Sequence, residues 1–158
     1  MARFPVYQTP ELDEAEKRMR PHADHPHGFL RGDPRPLVQI LNADHLAVKE
    51  LGLTHEAIAQ RLKELTEAAK KAYGQTVDVE GRFRVRIEAA RGKIPCPWGH
   101  PGLYPKTHVT LERLDTGETL AWSDLGIHMI EAHGFYQGAG SPYRLDPRRL
   151  KTILELGG

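Results

Sequence analysis

Apolar residues recur along the chain with two different periods, and the first of them is helical. Between Leu37 and Tyr73 they are spaced as on one face of a helix, with an interruption at Gly52. In the second of the two segments, Thr54 is placed to cap the helix N-terminus. The residues of its apolar face are Ile58, Leu62, Leu65, Ala69 and Tyr73. We expect two consecutive helices, with this face in the core.

The period then changes to two, which predicts β-strands. One run alternates Phe83, Val85 and Ile87 with Arg82, Arg84 and Arg86. A second run alternates Val109 and Leu111 with Thr110 and Glu112. Residues 118–122 form a third run, after a three-residue hairpin loop over 115–117 in which Gly117 takes the left-handed conformation. We expect one buried sheet face, shared by the apolar residues with Leu120 and Trp122, and an exposed face that carries the arginines.

Start and stop signals mark three shorter helices. A threonine–proline pair begins the first, over 9–20, and Ser123 or Asp124 caps a second that runs to about His133 and ends at Gly134. An aspartate–proline pair begins the last, over 147–156. The predicted strands do not alternate with helices, so the sequence does not indicate a parallel sheet.

These elements predict an α+β fold, a small antiparallel β-sheet with one face covered by several helices. We expect a single domain over residues 1–158. It has a helical N-terminal half (9–73), a region with the sheet and a candidate site (76–146), and a C-terminal helix (147–156).

Composition narrows the classes of protein that remain. Lys and Arg total 22 against 21 Asp and Glu, and this formal charge of +1 excludes the strongly basic balance of an obligate nucleic-acid binder. No run of residues is long and apolar enough for a membrane span, and mean hydropathy is -0.53. The single cysteine and the acidic, proline-containing start predict a protein of the reducing cytoplasm. A charged fraction of 27% with Asn42 as the only asparagine suits a heat-stable protein.

The candidate chemistry is a metal site made of two spaced pairs. Cys96 and His100 form a C-x3-H pair in a loop rich in proline and glycine, and His128 and His133 form an H-x4-H pair on the predicted helix. Thiolate and imidazole are ligands that zinc prefers in tetrahedral sites. The spacing permits such a site without being diagnostic of it.

Helix geometry sets a condition on this site. At about 100° per residue, His133 lies about 140° around the helix axis from His128. An undistorted helix would not direct both rings to one ion, so we expect the helix to open at its end, next to Gly134.

Glu131 is the candidate catalytic residue of the same helix. It follows His128 by three residues and could act as a ligand, as an acceptor for an imidazole N–H, or as a general base on metal-bound water. The spacing differs from the metalloprotease H-E-x-x-H motif, so we do not predict a protease. A solvated glutamate is the alternative.

Two other interpretations of the cluster stay open. The histidines could border the core, each hydrogen-bonded to backbone, with Cys96 as a small apolar filler. Alternatively, Cys96 could be a nucleophile whose thiol is activated by a neighbouring imidazolium. His108 alternates with Val109 and Leu111, so we expect its side chain on the exposed face of the sheet. We therefore do not expect it to be a metal ligand.

Two further binding sites are weaker hypotheses. A glycine-containing segment followed by Arg144, Arg148 and Arg149 could form an anion pocket. The proline-rich loop over 21–36 carries His22, His25 and His27, which could bind a transition metal adventitiously.

The competing function is nucleic-acid binding by the basic face of Arg82, Arg84 and Arg86. Cross-strand glutamates could neutralise this face, since opposite-charge pairs between strands are favourable. A noncatalytic partner-binding protein or a homo-oligomer is the third class. The sequence identifies no specific partner.

Overall fold

The structure is a computed structural model that describes residues 3–20 and 28–157. Within them the chain forms five α-helices and two antiparallel sheets, which confirms the predicted α+β class. The helices are α1 (Pro10–Met19), α2 (Leu37–Glu50), α3 (His55–Lys71), α4 (Asp124–His133) and α5 (Pro147–Leu154). The strands are β1 (Val77–Val79), β2 (Phe83–Glu88), β3 (Lys93–Pro95), β4 (Leu103–Pro105), β5 (His108–Arg113) and β6 (Thr119–Ser123).

The larger sheet has the strand order β1-β2-β5-β6, with all neighbours antiparallel. Its register puts Val85, Leu111 and Leu120 in one row across three strands. The predicted inward residues are buried except Ile87, which is half-buried, while Arg84 and Arg86 are exposed. The predicted two-faced sheet is therefore confirmed.

Helix α3 covers the buried face of the sheet. The predicted face of the helix is fully buried at Ile58, Leu62, Leu65 and Ala69. The Trp122 indole N–H donates a hydrogen bond of 2.8 Å to Thr66 Oγ1, which joins β6 to the helix. The inclusion of Tyr73 in this face was wrong: α3 ends at Lys71, Tyr73 has a φ of 51°, and its side chain is 92% exposed.

Arg82 does not share a strand with the other two arginines. Strand β2 begins at Phe83, and Arg82 lies in the turn that precedes it. Its guanidinium forms ion pairs with Glu80 and Glu155 and lies over the Phe83 ring. The prediction of one continuous arginine stripe is corrected to Arg84 and Arg86, because the chain turns before the alternation begins.

The predicted helix caps are present. The side-chain oxygens of Thr9, Thr54, Ser123 and Asp146 each accept a backbone N–H of the first helical turn. The hairpin between β5 and β6 has Gly117 at a φ of 77°, as predicted. Its loop also includes Leu114 and Glu118, which makes it two residues longer than expected.

The loop around Cys96 is more regular than the sequence predicted. Strands β3 and β4 pair antiparallel, from Lys93 opposite Pro105 to Pro95 opposite Leu103, and so form a small second sheet. Proline and glycine mask the strand signal here, since both are uncommon in strand interiors. The residues between the two strands form the turn that carries Cys96 and His100.

Two hydrophobic clusters meet at α4. One contains the sheet and α3 and takes Ile127 and Ile130 from α4. The other contains α1 and α2 with Cys96, and takes Leu125 and Met129 from the opposite side of the same helix. Helix α4 is therefore buried on two sides, and its C-terminal end lies next to Cys96. No helix among the described residues has both the length and the apolar composition needed to cross a bilayer.

Candidate metal centre

A tight turn presents Cys96 and His100. The Gly99 N–H donates to the Cys96 carbonyl at 2.9 Å, and Gly99 has a φ of 82°, which glycine adopts without steric cost. Arg18 of α1 fixes the turn from outside, because its Nη1 donates to the Pro97 carbonyl at 2.8 Å. The turn is therefore held by backbone geometry and by a side chain distant in sequence.

The end of α4 presents the second pair. Gly134 has a φ of 65°, and the N–H groups of Gly134 and Phe135 donate to carbonyls of the last turn, as in a Schellman cap. The helix is regular through His133, so the prediction that it must open was wrong. The rings of His128 and His133 still approach to 5.6 Å between centroids. Side-chain torsions carry an imidazole nitrogen far enough from the helix axis to offset the angle between the Cα positions.

The four predicted ligands converge. One ligand atom from each of Cys96, His100, His128 and His133 lies within 4.8 Å of the other three. Cys96 Sγ is 3.7 Å from His133 Nε2, and His100 Nδ1 is 3.2 Å from His128 Nε2. Zinc bonds of about 2.0–2.1 Å to nitrogen and about 2.3 Å to sulfur put tetrahedral donors about 3.3 Å (N–N) and about 3.6 Å (N–S) apart. These two separations are close to the corresponding edges of a tetrahedral site, and all of the donor atoms lie within 4.8 Å of one another.

The Cys96 sulfur is buried, and two effects act on its thiol in opposite directions. Its side chain is 2% exposed, and burial raises the pKa of the thiol. The backbone N–H groups of Trp98 and His100 point to the sulfur and act in the opposite direction, because they stabilise negative charge there.

The surroundings of His128 and His133 favour the neutral imidazole that metal ligation requires. Burial, with smaller effects from His100 and His128, lowers the pKa of His133 to about 3. Burial also lowers the pKa of His128, and the charge of His100 adds to this effect. A neutral His133 beside a buried thiol does not supply the imidazolium that a nucleophilic Cys96 would need.

Aromatic rings hold two of the imidazoles. Trp98 stacks on His133 with 3.9 Å between centroids and 5° between planes, and Tyr104 stacks on His128 at 4.9 Å. Neither aromatic residue was predicted to belong to the site. Both could have been found from their position in the proline-rich loop that carries Cys96 and His100. Residues between two ligands or just after them must lie close to the site.

Glu131 lies beside the cluster but is not one of the four converging residues. Its Oε2 accepts a hydrogen bond from Lys63 Nζ at 2.7 Å, and both side chains are exposed. Its negative charge acts weakly to raise the pKa of His128, against the larger effect of burial. The carboxylate is thus engaged by a lysine of α3.

The arginines of the predicted anion pocket have separate surroundings. Arg144 binds Asp44 with both terminal nitrogens, with Nη2 2.8 Å from Oδ1, so a carboxylate of the chain already holds its guanidinium. Arg148 is exposed in the first turn of α5. Arg149 points to the sheet, where its Nη2 donates to the Thr119 carbonyl.

The remaining predicted residues lie away from the metal cluster. His108 is on β5, with Nε2 3.2 Å from Glu88 Oε2 on the neighbouring strand. Arg84 pairs with Asp78 across the β1–β2 hairpin. His22, His25 and His27 lie outside the described residues.

The four-residue cluster has no counterpart among the described residues, where no other group of three or more Cys, His, Asp or Glu side chains converges in this way. Its donor set of one sulfur and three nitrogens is compatible with zinc and with other ions of similar preference. Comparison of the chain with protein-family models, with curated proteins and with solved structures found no match.

Proposed function

We propose that this chain is a zinc-binding domain in which Cys96, His100, His128 and His133 hold one ion in a closed, structural site. The observation that supports this most strongly is the convergence of four donor atoms within 4.8 Å, with separations of 3.2 and 3.7 Å along two edges. Both values are those expected around a tetrahedral zinc ion.

The donor chemistry favours zinc over harder cations. Calcium and magnesium take oxygen ligands, whereas one thiolate with three imidazoles suits zinc and its neighbours in the transition series. The backbone N–H groups directed at Cys96 Sγ support a thiolate, because hydrogen bonds around a ligand tune and orient it.

A structural role is favoured over a hydrolytic one by ligand number. Four protein ligands fill a tetrahedral ion, while a catalytic zinc keeps a position open for water. The exposed Lys63–Glu131 ion pair also engages the carboxylate that would have to accept a proton from such water. The ion would tie the β3–β4 turn to the end of α4, two parts of the chain separated by 37 residues between Cys96 and His133.

Metal analysis of protein purified without added metal and without a histidine tag tests the proposal. We expect about one zinc per chain, and loss of most of it in Cys96→Ser and His100→Gln. His108→Gln is the matched control, because it removes a histidine outside the cluster, and it should retain the ion. Metal-free protein that also fails to take up zinc at equimolar concentration would contradict the proposal.

Chelation separates the structural from the hydrolytic version. Removal of the ion with EDTA should lower Tm by roughly 10 °C or more. Each kcal/mol of lost stability lowers the Tm of a domain of this size by several degrees, and we expect the ion to contribute a few kcal/mol. Glu131→Gln should leave metal content and Tm unchanged. A zinc-dependent hydrolysis of ester or amide substrates that Glu131→Gln abolishes would overturn the closed-site version.

A further inference from the structure

The exposed face of the larger sheet forms the floor of a second candidate site. Side chains on this face lie in rows across β2, β5 and β6. The rows are Arg84–Glu112–Thr119, Arg86–Thr110–Ala121 and Glu88–His108–Ser123. Because successive rows are two residues apart on every strand, they lie side by side on one face.

Two adjoining cavities lie over these rows. The first, of about 570 Å³, covers the rows of Arg84 and Arg86 and is walled by Pro142, Arg144 and Arg149. The second, of about 400 Å³, covers His108 and Ser123. Pro142 lines both and the rows beneath them are neighbours, so the two cavities adjoin, and we call them together the sheet-face trough.

One end of the sheet-face trough is cationic. Arg84 and Arg144 are balanced by Asp78 and Asp44. Arg86 stands opposite Thr110 and is paired with no carboxylate of the described residues. Arg149 makes one hydrogen bond, to a backbone carbonyl, which leaves its positive charge uncompensated by an acidic partner among those residues.

The position of Glu112 fixes where an anion can lie. This carboxylate belongs to the Arg84 row and would repel a phosphate placed there. The Arg86 row carries no acidic side chain and offers the Thr110 hydroxyl next to the guanidinium. An anion over this row meets a charge-assisted donor and a neutral donor together.

The other end of the sheet-face trough is largely apolar. Most of its surface is apolar and comes from residues such as Phe29, Ile94 and Tyr143, while its polar lining residues include Lys106, His108 and Ser123. The Tyr143 ring is 38% exposed and packs edge-on against His108 at 5.8 Å. A partly exposed tyrosine beside an apolar cavity suits contact with a flat aromatic ring.

The wall of the sheet-face trough is held rigidly in a strained conformation. Gln137 is buried and has a φ of 76°, which is rare for a residue with a side chain. Its amide oxygen accepts from Ser141 Oγ, and its carbonyl accepts from Arg144 Nη1. The Ala139 N–H donates to the buried carboxylate of Asp33. A segment fixed in this way forms a site before any ligand binds, as small-molecule sites usually do.

We propose that the sheet-face trough binds a phosphate monoester with an aromatic body, a ligand of mononucleotide size. The phosphate lies over the Arg86–Thr110 row, the positive charge of Arg149 lies at Thr119 of the adjoining row, and the aromatic body lies against Tyr143. The two cavity volumes fall within the range of small-molecule sites, and the order of charge and apolar surface along the trough matches the two halves of such a ligand.

Titration of the zinc-supplemented protein with adenosine 5′-monophosphate, followed by NMR, tests this. We expect the amide signals of Thr110, Ala121 and Tyr143 to shift. Arg86→Gln should weaken binding about 10- to 100-fold, the usual loss when a hydrogen bond to a charged group is removed. Tyr143→Ala should weaken it about tenfold. Arg91→Gln is the matched control, because Arg91 is an exposed arginine beyond the end of β2 and outside the trough.

Several results would overturn the proposal. Absence of these shifts at millimolar nucleotide would do so, as would an equal loss of affinity in Arg86→Gln and Arg91→Gln. Inorganic phosphate that binds as tightly as the nucleotide would remove the role of the aromatic end. A single-stranded oligothymidylate that binds far more tightly than the mononucleotide, with affinity falling steeply with salt, would assign the trough to nucleic acid instead.

Discussion

The indole of Trp98 lies parallel to the imidazole of His133, with 3.9 Å between ring centroids and 5° between their planes. Trp98 follows Cys96 by two residues, and its own backbone N–H points to the Cys96 sulfur. One residue therefore contacts two of the four proposed ligands, one through its backbone and one through its ring. An ion bound between Cys96 and His133 would change the electronic environment of this indole directly.

We predict that tryptophan fluorescence reports on metal binding. Zinc added to EDTA-treated protein should change the emission intensity in a saturable way, with a one-to-one end point. Trp98→Phe keeps an aromatic ring against His133 but should remove most of the response. The other tryptophan, Trp122, is buried and bonded to Thr66. A response of full size in Trp98→Phe would show that the signal comes from Trp122 and global folding.

Replacing one partner of the ion pair between Asp44 and Arg144 should lower the free energy of unfolding substantially. The Asp44 side chain is 7% exposed and the Arg144 side chain 19%, and the pair joins α2 to the segment before α5. Asp44→Asn removes the closer carboxylate from a mostly buried guanidinium and leaves only Asp146, whose Oδ2 is 3.9 Å from Nη2. We expect a loss of about 3–5 kcal/mol in the free energy of unfolding. Urea denaturation measures this.

The exposed pair of Lys17 and Glu14 provides the control for that loss. Their side chains are 74% and 56% exposed, so Glu14→Gln should change the free energy of unfolding by less than about 1 kcal/mol. Similar losses in Asp44→Asn and Glu14→Gln would mean that burial of the Asp44 pair has no energetic consequence.

Stability should depend on pH through His55. Its ring links His45 Nδ1, at 2.9 Å, to the Tyr136 hydroxyl, at 2.7 Å. Burial lowers the pKa of His55, and the charge of His45 adds to this effect. Below the unfolded-state pKa of about 6.5, the unfolded chain binds a proton here that the folded chain does not, so stability falls as the pH falls.

The measurement compares the wild type with His55→Phe. In urea denaturation between about pH 7.5 and about pH 5.5, the wild type should lose more free energy of unfolding than the variant does. The histidines of the proposed metal site are the same in both proteins, and their contribution cancels in the comparison. Equal pH dependence in both would contradict the assignment to His55.

Gly138 should not tolerate a side chain. A Cβ at this position would lie 2.6 Å from the Leu30 carbonyl oxygen and 2.7 Å from the Leu30 Cα, and backbone atoms cannot move aside cheaply. Gly138→Ala should cost about 1–3 kcal/mol, as overpacking does. At Gly32 a Cβ would meet nothing within 4 Å, so Gly32→Ala should be neutral or slightly stabilising. Thermal unfolding of both variants checks the difference.

Local pattern was sufficient for much of the fold. Alternation at Phe83, Val85 and Ile87 identified β2 and its buried face, because the period of a strand depends only on backbone geometry. The caps at Thr54 and Ser123 were predictable because they act within one helical turn. Strands β3 and β4 were not predicted, since their pairing depends on a partner strand and not on the preferences of proline and glycine.

The sequence predicted which residues form the candidate metal site, but not how they are arranged. Residue type and spacing marked Cys96 with His100 and His128 with His133, because ligand chemistry is a property of the side chain alone. Sequence reasoning nevertheless required α4 to open, whereas the helix stays regular to His133. Side-chain rotamers, and for His133 packing against Trp98, decide where an imidazole nitrogen lies. Neither can be predicted from the spacing of the residues in the sequence.

By itself, then, the sequence determined the α+β class, the two-faced sheet and the four residues that converge, since each follows from local periodicity or from side-chain chemistry. Only the tertiary structure decided that Cys96 receives two backbone donors, that Arg144 is held by Asp44 and that Pro142 lines the same cavity as Arg86. Asp44 and Arg144 are 100 residues apart along the chain. Contacts at such distances arise from the packing of whole elements, which no local pattern encodes.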